Sequence, residues 1–211
     1  MRLRADRLAL DRGGRRLFSE LSFELSSGQA LVVRGENGAG KTSLLRAIAG
    51  LAPLAAGALE LSGGGDDAPL GEQAHYLGHA DALKSALTAR ENLQFWAAML
   101  AAARPRAGGR RAAGVSAALD RVGLGHVADF PIHALSAGQK RRVALARLLA
   151  ADRPLWLLDE PSTALDLAAQ GRLHELLREH LAAGGLIVAA THAPLDLPDA
   201  RELRLGAAAA A

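Results

Sequence analysis

The sequence contains no cysteine among its 211 residues, and only 3% of the residues are aromatic. Without cysteine the chain forms no disulfide, no thiolate metal site and no cysteine nucleophile, which fits a reducing compartment. Half of the residues are hydrophobic, so a sizeable core is possible, and it must consist mostly of Leu, Val, Ile and Ala. The length allows one large domain, or a domain with a subdomain.

Long apolar runs are also lacking. No stretch reaches the roughly 18–20 apolar residues that span a bilayer, and the N-terminal MRLRADRLAL lacks the continuous apolar core of a signal peptide. The sequence therefore predicts a protein that is soluble by itself. The net charge of +3, from 25 basic and 22 acidic residues, permits attraction to nucleic acid or an anionic membrane without requiring either. We favour an arginine-rich, solvated surface.

Short apolar runs alternate with helical patterns along the chain. The runs ALVVRG, PLWLLDE and GLIVAATH favour central parallel strands that are covered by helices on both faces. Each run ends in glycine or polar residues, and open α/β sheets place their ligand sites at such strand ends. By contrast, LSFEL at Leu21–Leu25 alternates with period two, which predicts an antiparallel strand with one solvated face.

The stretch from Leu87 to Ala151 has a mainly helical pattern. A capping box at Thr88–Glu91 predicts a helix through about Ala103, and a second box at Ser136–Gln139 predicts a helix through about Ala150. Between them, the Gly- and Arg-rich segment Arg104–Gly114 predicts a mobile loop. No aromatic platform accompanies its basic residues, so a nucleic-acid role is not favoured.

The second helix carries both apolar and basic positions. Its predicted packing stripe consists of Val143, Ala146, Leu149 and Ala150. For the adjacent Arg141 and Arg142 the sequence leaves two interpretations equally open, a solvated basic face or a direct role.

The stretch GENGAGKTS at positions 35–43 matches the P-loop pattern G-x-x-x-x-G-K-[ST], directly after one predicted strand and at the start of a helix. Its glycines let backbone N–H groups turn toward an anion, and the helix N-terminus adds positive potential. Lys41 supplies a charge for the β- and γ-phosphates, and Thr42 a hydroxyl for Mg²⁺. The predicted ATP-phosphate residues are Gly35, Asn37, Gly38, Ala39, Gly40, Lys41, Thr42 and Ser43.

Two adjacent carboxylates, Asp159 and Glu160, end the run PLWLLDE. At the end of a buried strand in a P-loop protein, Asp159 can reach Mg²⁺ directly or through water. Glu160 is then placed to orient and deprotonate an attacking water. A solvated strand end is the alternative, but the P-loop context favours the catalytic interpretation.

The stretch LSAGQ at positions 135–139 begins the second helix and forms another anion-binding helix N-terminus. A single nucleotide already has its P-loop, so one chain does not need a second anion-binding site for it. The helix N-terminus at 135–139 is explained if it binds the γ-phosphate of the ATP that another copy holds. The residues predicted to act on the partner copy's ATP are Leu135, Ser136, Ala137, Gly138 and Gln139.

In order and spacing, these motifs resemble the nucleotide-binding subunits of ABC transporters over about residues 3 to 205. The Walker A residues, LSAGQ, PLWLLDE, STALD at Ser162–Asp166 and His192 after LIVAAT all match. The resemblance implies an α/β fold: a P-loop NTPase (RecA-like) core, an antiparallel β edge from the N-terminal third, and an inserted α-helical subdomain that carries the signature. We expect 1–86 and 152–205 to form the core with its β edge, about 87–151 the helical subdomain, and 206–211 a flexible tail.

The resemblance also implies residue roles. Thr42 and Asp159 would support Mg²⁺, and Glu160 resembles the catalytic base. Asp166 would lie in the loop that crosses the interface of a homodimer, which sandwiches ATP between the P-loop of one copy and the signature of the other. His192 resembles the switch histidine that contacts the γ-phosphate.

Two positions depart from the family pattern. The family usually stacks adenine on an aromatic residue shortly before the first glycine turn. Here LALDRGGRR offers Arg12, whose guanidinium plane can also stack on a base. His79, in YLGHADALK, occupies a slot where glutamine usually senses Mg²⁺ and the attacking water. By itself the sequence leaves three interpretations of His79 open: a metal or haem ligand, a buried core residue, or part of a site assembled from elsewhere in the chain. Its place in the motif order favours the Mg²⁺–water site over haem binding.

The segments GHADALK, LSAGQKRRVALARL and THAPL together resemble one branch of the family, the ATP-binding subunits of haem exporters in c-type cytochrome biogenesis. The resemblance implies an ATP-hydrolysing translocase subunit at the cytoplasmic face of the bacterial inner membrane. It also implies membrane-spanning partners of the CcmB and CcmC kind, and a role either in haem transport or in release of a haem chaperone. No direct haem contact and no nucleic acid are expected.

Two alternatives remain open. An ABC motor for another cargo, such as a lipid, drug or peptide, differs only in the GHADALK and THAPL details. A soluble ABC protein of translation or DNA repair usually carries paired cassettes or long coiled-coil insertions, which this chain lacks. A P-loop GTPase is disfavoured because the sequence has no N-K-x-D guanine motif.

Overall fold

The computed structural model describes residues 1–63, 68–100, 112–197 and 199–206. Most of the predicted loop Arg104–Gly114 lies outside the described residues, as do the predicted end of the first capped helix at Ala103 and all of the predicted tail except Gly206.

The described residues form eight strands and five α-helices. In chain order they are β1 (Arg2–Arg12), β2 (Arg15–Ser26), β3 (Ala30–Arg34), α1 (Lys41–Ile48), β4 (Ala56–Ser62), β5 (Ala74–Leu77), α2 (Ala89–Leu100), α3 (Val115–Arg121), α4 (Ala137–Ala150), β6 (Leu155–Asp159), α5 (Leu167–Ala182), β7 (Leu186–Ala190) and β8 (Arg201–Arg204). Short 3₁₀ turns lie at Leu70–Gln73, Gly125–Val127 and Ile132–Ala134.

A five-stranded parallel sheet lies at the centre of the fold, in the order β5-β6-β7-β3-β8. The three apolar runs of the sequence form β3, β6 and β7, and all residues of these strands except the last of β3 are buried. Strands covered on both faces need apolar side chains throughout, so the prediction of central parallel strands is confirmed.

The parallel sheet divides the core into two clusters. Trp156 and Leu158 of β6 pack into the cluster that includes α4 and α5, whereas Leu155 and Leu157 pack into the cluster that includes α1 and the N-terminal strands. This alternation follows from the period of two along a strand. One face of the sheet is therefore covered by helices that include α4 and α5, and the other face by α1 together with the N-terminal strands.

The N-terminal strands form a sheet of their own, in the antiparallel order β2-β1-β4. The predicted antiparallel strand lies within β2, where Phe23 and Leu25 are buried and Ser22 is exposed. The α/β fold with antiparallel β structure and helical segments is thus confirmed.

Both predicted capping boxes are present. The Thr88 hydroxyl accepts from the Glu91 N–H (3.1 Å), and the Glu91 carboxylate accepts from the Thr88 N–H (2.8 Å). In the second box, Ser136 Oγ accepts from the Gln139 N–H (3.2 Å), and the Gln139 side chain accepts from the Ser136 N–H (2.8 Å). Each box satisfies two N–H groups that a helix start leaves unpaired, so α2 and α4 begin where predicted.

The packing of α4 is broader than the predicted stripe. Every residue from Val143 to Ala150 is buried, because the helix is enclosed by α2, α3 and the central sheet. The solvated-face interpretation is wrong for Arg141, which is only 3% exposed and donates to backbone carbonyls and to Asp81. Arg142 is half-buried and donates to the carbonyls of Val122 and Gly123.

None of the helices in the described part of the chain is both long and apolar enough to cross a membrane.

Candidate functional site

A cleft of about 350 Å³ opens where β3, β6 and β7 end. This volume is in the range of small-molecule sites, and the carboxyl ends of parallel strands are where α/β sheets bind ligands. The residues that line it are Arg12, Leu17, Asn37, Gly38, Gly40, Lys41, Thr42, Ser43, His79, Asp159, Glu160 and His192. The structure thus gathers most of the predicted ATP-site residues, from five separate segments, around one cavity.

The P-loop between β3 and α1 depends on its glycines. Gly38 and Gly40 have φ angles of 86° and 101°, a region that L side chains rarely adopt. A Cβ atom on Gly35 would lie 2.5 Å from the carbonyl oxygen of Leu205, so backbone from after β8 closes directly over the first glycine. Gly35 and Ala39 do not line the main cleft; Ala39 lines an adjoining cavity of about 200 Å³.

Lys41, the first residue of α1, holds the P-loop in its curved shape. Its ammonium donates to the carbonyl oxygens of Gly35 (2.6 Å) and Glu36 (3.0 Å), and it lies 3.0 Å from Nε2 of His192. The charge is therefore fixed at the centre of the loop by neutral acceptors. An incoming phosphate oxygen would exchange these acceptors for a charged one, which makes a stronger hydrogen bond.

Thr42 and Asp159 form the part of the site that fits a divalent cation. The Thr42 hydroxyl donates to Oδ2 of Asp159 (2.9 Å), and Asp159 is only 4% exposed. A hydroxyl and a carboxylate are hard oxygen donors, which Mg²⁺ prefers. The donor set therefore fits the predicted Mg²⁺.

Glu160 is held by the end of the neighbouring strand. Its backbone N–H donates to the carbonyl of Ala190 (2.8 Å), and its carboxylate accepts from the Thr191 hydroxyl (3.0 Å) and the His192 N–H (3.2 Å). Its φ angle is 46°, in the left-handed region that is uncommon for a non-glycine residue. Such strained residues cluster at functional sites, where surrounding contacts impose the conformation.

His192 stands between the P-loop and Glu160. Its side chain is 56% exposed, and its Nε2 lies 3.0 Å from Lys41 Nζ and 3.9 Å from Glu160 Oε1. The imidazole thus borders the space where the terminal phosphate of a nucleotide held by Lys41 would lie.

The two departures from the family pattern, Arg12 and His79, also border the cleft. Arg12 is the last residue of β1, His79 follows β5 by two residues, and both are exposed. Their positions are compatible with the predicted adenine platform and the predicted Mg²⁺–water contact, and both roles remain predictions.

The signature residues lie elsewhere. Among the described residues that line the cleft, none belongs to Leu135–Gln139. Ser136 and Ala137 are exposed at the start of α4, whereas Leu135 is buried. A Cβ on Gly138 would lie 2.8 Å from the Ala164 carbonyl, so the signature packs closely against the STALD loop. The exposed helix start is compatible with action on another copy's ATP.

Asp166 begins the helix that follows the STALD loop. Its carboxylate accepts from the backbone N–H of Ala169 (2.7 Å), which caps α5. The next residue, Leu167, is 86% exposed, an unusual state for leucine. The cap fixes the end of the loop, and the predicted place of Asp166 at a dimer interface remains a prediction.

Three contributing residues were not predicted from the sequence. Leu17 lines the cleft and would contact a Cβ on Gly40, Thr191 holds the Glu160 carboxylate, and Arg141 binds the backbone around Glu160. Thr191 lies directly before His192 at the end of an apolar strand, which is a usable signal. Leu17 carries no distinguishing local pattern.

Comparison with known proteins places the site in context. The ABC transporter family profile matches residues 18–163. The cytochrome c biogenesis ATP-binding export protein CcmA of Nitrobacter winogradskyi is 54% identical over 209 residues, which cover 99% of this chain and 100% of that protein. The protein of the same name from Bradyrhizobium diazoefficiens is 53% identical with the same coverage.

Solved structures agree on the fold. An ATP-binding protein assigned to an ABC transporter of Pyrococcus furiosus superposes with a TM-score of 0.79 at 20% identity, covering 97% of this chain and 98% of that one. An ATP-binding subunit of an ABC transporter gives a TM-score of 0.77 at 23% identity, covering 91% and 80%.

Proposed function

The chain belongs to the ABC transporter family of ATP-binding proteins and is an ATPase, and on that premise we propose that it drives the haem-exporting or haem-chaperone-releasing complex of c-type cytochrome biogenesis. The observation that carries the proposal is the convergence of the P-loop, Asp159, Glu160 and His192 on one cleft, with the signature helix start outside it. The high identity to export proteins of cytochrome c biogenesis supports the cargo pathway.

Phosphate binding is the task of the P-loop. Backbone N–H groups at the start of α1 and the Lys41 ammonium hold the phosphates of ATP. Thr42 and Asp159 hold Mg²⁺, whose charge, when bound, offsets that of the phosphates. Arg12, at the rim of the same cleft, stacks on the adenine.

Hydrolysis depends on Glu160. Its carboxylate accepts from Thr191 and His192, which fix its direction and leave it free to take a proton from a water molecule in the cleft. His192 donates a ring N–H to the terminal phosphate, and His79, which lines the same cleft, is a second polar contact for the water.

Two copies of the chain form the working unit. The exposed start of α4, with Ser136 and Gly138, binds the γ-phosphate held by the P-loop of the other copy. Moving such a dimer from mostly open to mostly closed requires about 5 kcal/mol of differential affinity. Several charge-assisted contacts at each site, at roughly 1.5–3 kcal/mol each, are sufficient. Loss of the γ-phosphate removes these contacts, and the dimer opens.

Membrane-spanning subunits of the CcmB and CcmC kind receive this motion at the cytoplasmic face of the inner membrane. A groove of about 250 Å³ offers a docking place for them, since it is lined mainly by apolar residues of the α1 end, β5 and α2, among them Leu51, Trp96 and Leu100. Leu51 is 64% exposed, and Arg147 lies 4.4 Å below the Trp96 ring. An exposed apolar rim of this kind is typical of an interaction surface.

The decisive experiment is deletion of the gene, with an assay of c-type cytochrome maturation. We expect maturation to fail, and to be restored by the unsubstituted chain but not by Glu160→Gln at equal abundance. Normal maturation in the deletion strain contradicts the cytochrome assignment and leaves the ATPase intact, which would direct the search to another cargo.

A further inference from the structure

Arg141 is a buried guanidinium near the start of the signature helix, and every one of its five N–H donors has an acceptor. It is 3% exposed. The acceptors are the carbonyl oxygens of Pro161 (3.4 Å), Gly78 (2.9 Å), Asp159 (3.0 Å) and Glu160 (2.8 Å), and Oδ1 of Asp81 (3.0 Å). Five donors in a rigid plane are the full capacity of an arginine, so this set is a specific recognition of its surroundings.

These acceptors belong to two segments that the chain separates widely. Asp159 ends β6, and Glu160, the predicted catalytic base, and Pro161 follow it. Gly78 and Asp81 follow β5 and enclose His79 on both sides. Arg141 itself lies five residues after Ser136. One side chain therefore ties the signature helix to the strand end of Glu160 and to the loop of His79.

The contact with Glu160 acts on a strained backbone. Glu160 has a φ angle of 46°, which is unfavourable for a residue with a side chain. Arg141 binds its carbonyl and the carbonyls on either side, while Thr191 and His192 hold its carboxylate. Rotation of the α4 start would therefore change the backbone on which the direction of this carboxylate depends.

We propose that Arg141 is a positioning residue that couples the two ATP sites of the dimer, because it joins the signature helix, which serves the partner's ATP, to Glu160 and the His79 loop, which serve this chain's own ATP. The inference rests on the proposed dimer. Contact of Ser136 with the partner's nucleotide fixes α4, and Arg141 passes that state to the catalytic carboxylate. Hydrolysis at one site then depends on occupancy of the other.

A purely structural role makes a different prediction. A buried arginine that only holds the fold together would, when replaced, lower stability and the amount of active protein, with the shape of the ATP-dependence unchanged. Coupling instead predicts a change in cooperativity. The coupling hypothesis also predicts that ATP affinity at a single site is unchanged, since Arg141 does not line the cleft.

The test uses the complex that co-purifies with the full-length tagged chain. ATP binding is measured without Mg²⁺, and hydrolysis is measured as a function of ATP concentration. For Arg141→Gln we expect binding within about twofold of the unsubstituted complex, and a kcat lower by about 10- to 100-fold, the scale of small misplacements of a catalytic group. With two coupled sites the Hill coefficient of the unsubstituted complex is at most about two, and we expect that of Arg141→Gln to fall toward one.

Two further variants sharpen the result. Arg142→Gln is the matched control, since it removes a guanidinium from the next position of α4. The acceptors there are the carbonyls of Val122 and Gly123, which do not line the cleft. The Hill coefficient of this variant should stay at the unsubstituted value. Asp81→Asn removes the negative charge that Arg141 binds, at a site with 26% side-chain exposure. This variant should lower the Hill coefficient even if Arg141→Gln does not fold.

The outcomes separate the two proposals. A complex without ATP hydrolysis overturns the proposed function and this inference with it. Cooperative hydrolysis that Arg141→Gln and Asp81→Asn leave intact overturns the inference alone. A lower kcat with an unchanged Hill coefficient also overturns it, because Arg141 would then act only within one site.

Discussion

The ammonium of Lys41 and the imidazole of His192 are direct hydrogen-bond partners, with 3.0 Å between Nζ and Nε2. An ammonium only donates, so Nε2 of His192 accepts and the ring hydrogen lies on Nδ1. The contact joins the start of α1 to the end of β7, two segments that lie far apart in the sequence. The predicted phosphate lysine and the predicted γ-phosphate sensor thus converge on the same point of the cleft.

Replacing Lys41 tests the phosphate site. Lys41→Ala removes the only ammonium among the described residues that line the cleft. We expect ATP binding to weaken by about 10- to 150-fold, because one charge-assisted hydrogen bond contributes about 1.5–3 kcal/mol, and to be lost in practice at micromolar ATP. Equilibrium binding of a fluorescent ATP analogue measures this. Normal binding would contradict the P-loop interpretation.

Replacing Glu160 separates binding from chemistry. Glu160→Gln preserves shape and the acceptor for the Thr191 hydroxyl but cannot take up a proton. We expect ATP binding to persist and hydrolysis to slow by about 10²–10⁴, the usual contribution of a general base. Phosphate release under saturating ATP is the measurement. Hydrolysis at the unsubstituted rate excludes Glu160 from this role.

Replacing Arg12 tests the adenine platform. Arg12→Ala should weaken ATP binding by about twofold to fivefold, in keeping with roughly 0.5–1 kcal/mol for cation–π stacking at an exposed site, with little change in binding of inorganic phosphate. Arg4→Ala is the matched control, since Arg4 is an exposed arginine of the same strand that does not line the cleft. Equal affinities of the two variants for ATP would exclude stacking by Arg12.

The buried His75 should make stability depend on pH. Burial lowers the pKa of His75 to about 3, against a smaller raising effect of its hydrogen bond to the Ala151 carbonyl (2.8 Å), and nearby Arg153 and Arg147 lower it further. Between about pH 6.5 and that value the unfolded chain binds one more proton than the folded chain. The free energy of unfolding therefore decreases as the pH falls, by about 1.4 kcal/mol per pH unit from this group.

The variant His75→Gln isolates this contribution. The amide can still donate to the Ala151 carbonyl, but it does not titrate. Urea unfolding at pH values between about 6.5 and 4.5 should show a shallower loss of stability than in the unsubstituted protein. Parallel pH dependences would contradict the buried, neutral state of His75.

The strands, the helix starts and most of the cleft were predictable because local patterns encode them. β6 and β7 are unbroken apolar runs, the capping boxes lie within four residues, and the P-loop is contiguous. Arg141 was not predictable in this way. Its acceptors lie near Gly78, long before it in the chain, and near Glu160, well after it. The sequence around Arg141 and Arg142 does not indicate which of the two side chains is buried, because their burial depends on the tertiary arrangement.

The order of strands sets when the nucleotide site can form during synthesis. β3 pairs with β7 and β8 but leaves the ribosome long before either. At roughly 5–20 residues per second the interval is on the order of 8–30 s, during which β3 has neither of its paired strands beside it. Leu205 then closes the site: its N–H donates to the Arg34 carbonyl (2.8 Å), and its own carbonyl packs on Gly35. A nascent chain that stalls before β8 therefore has no finished nucleotide site.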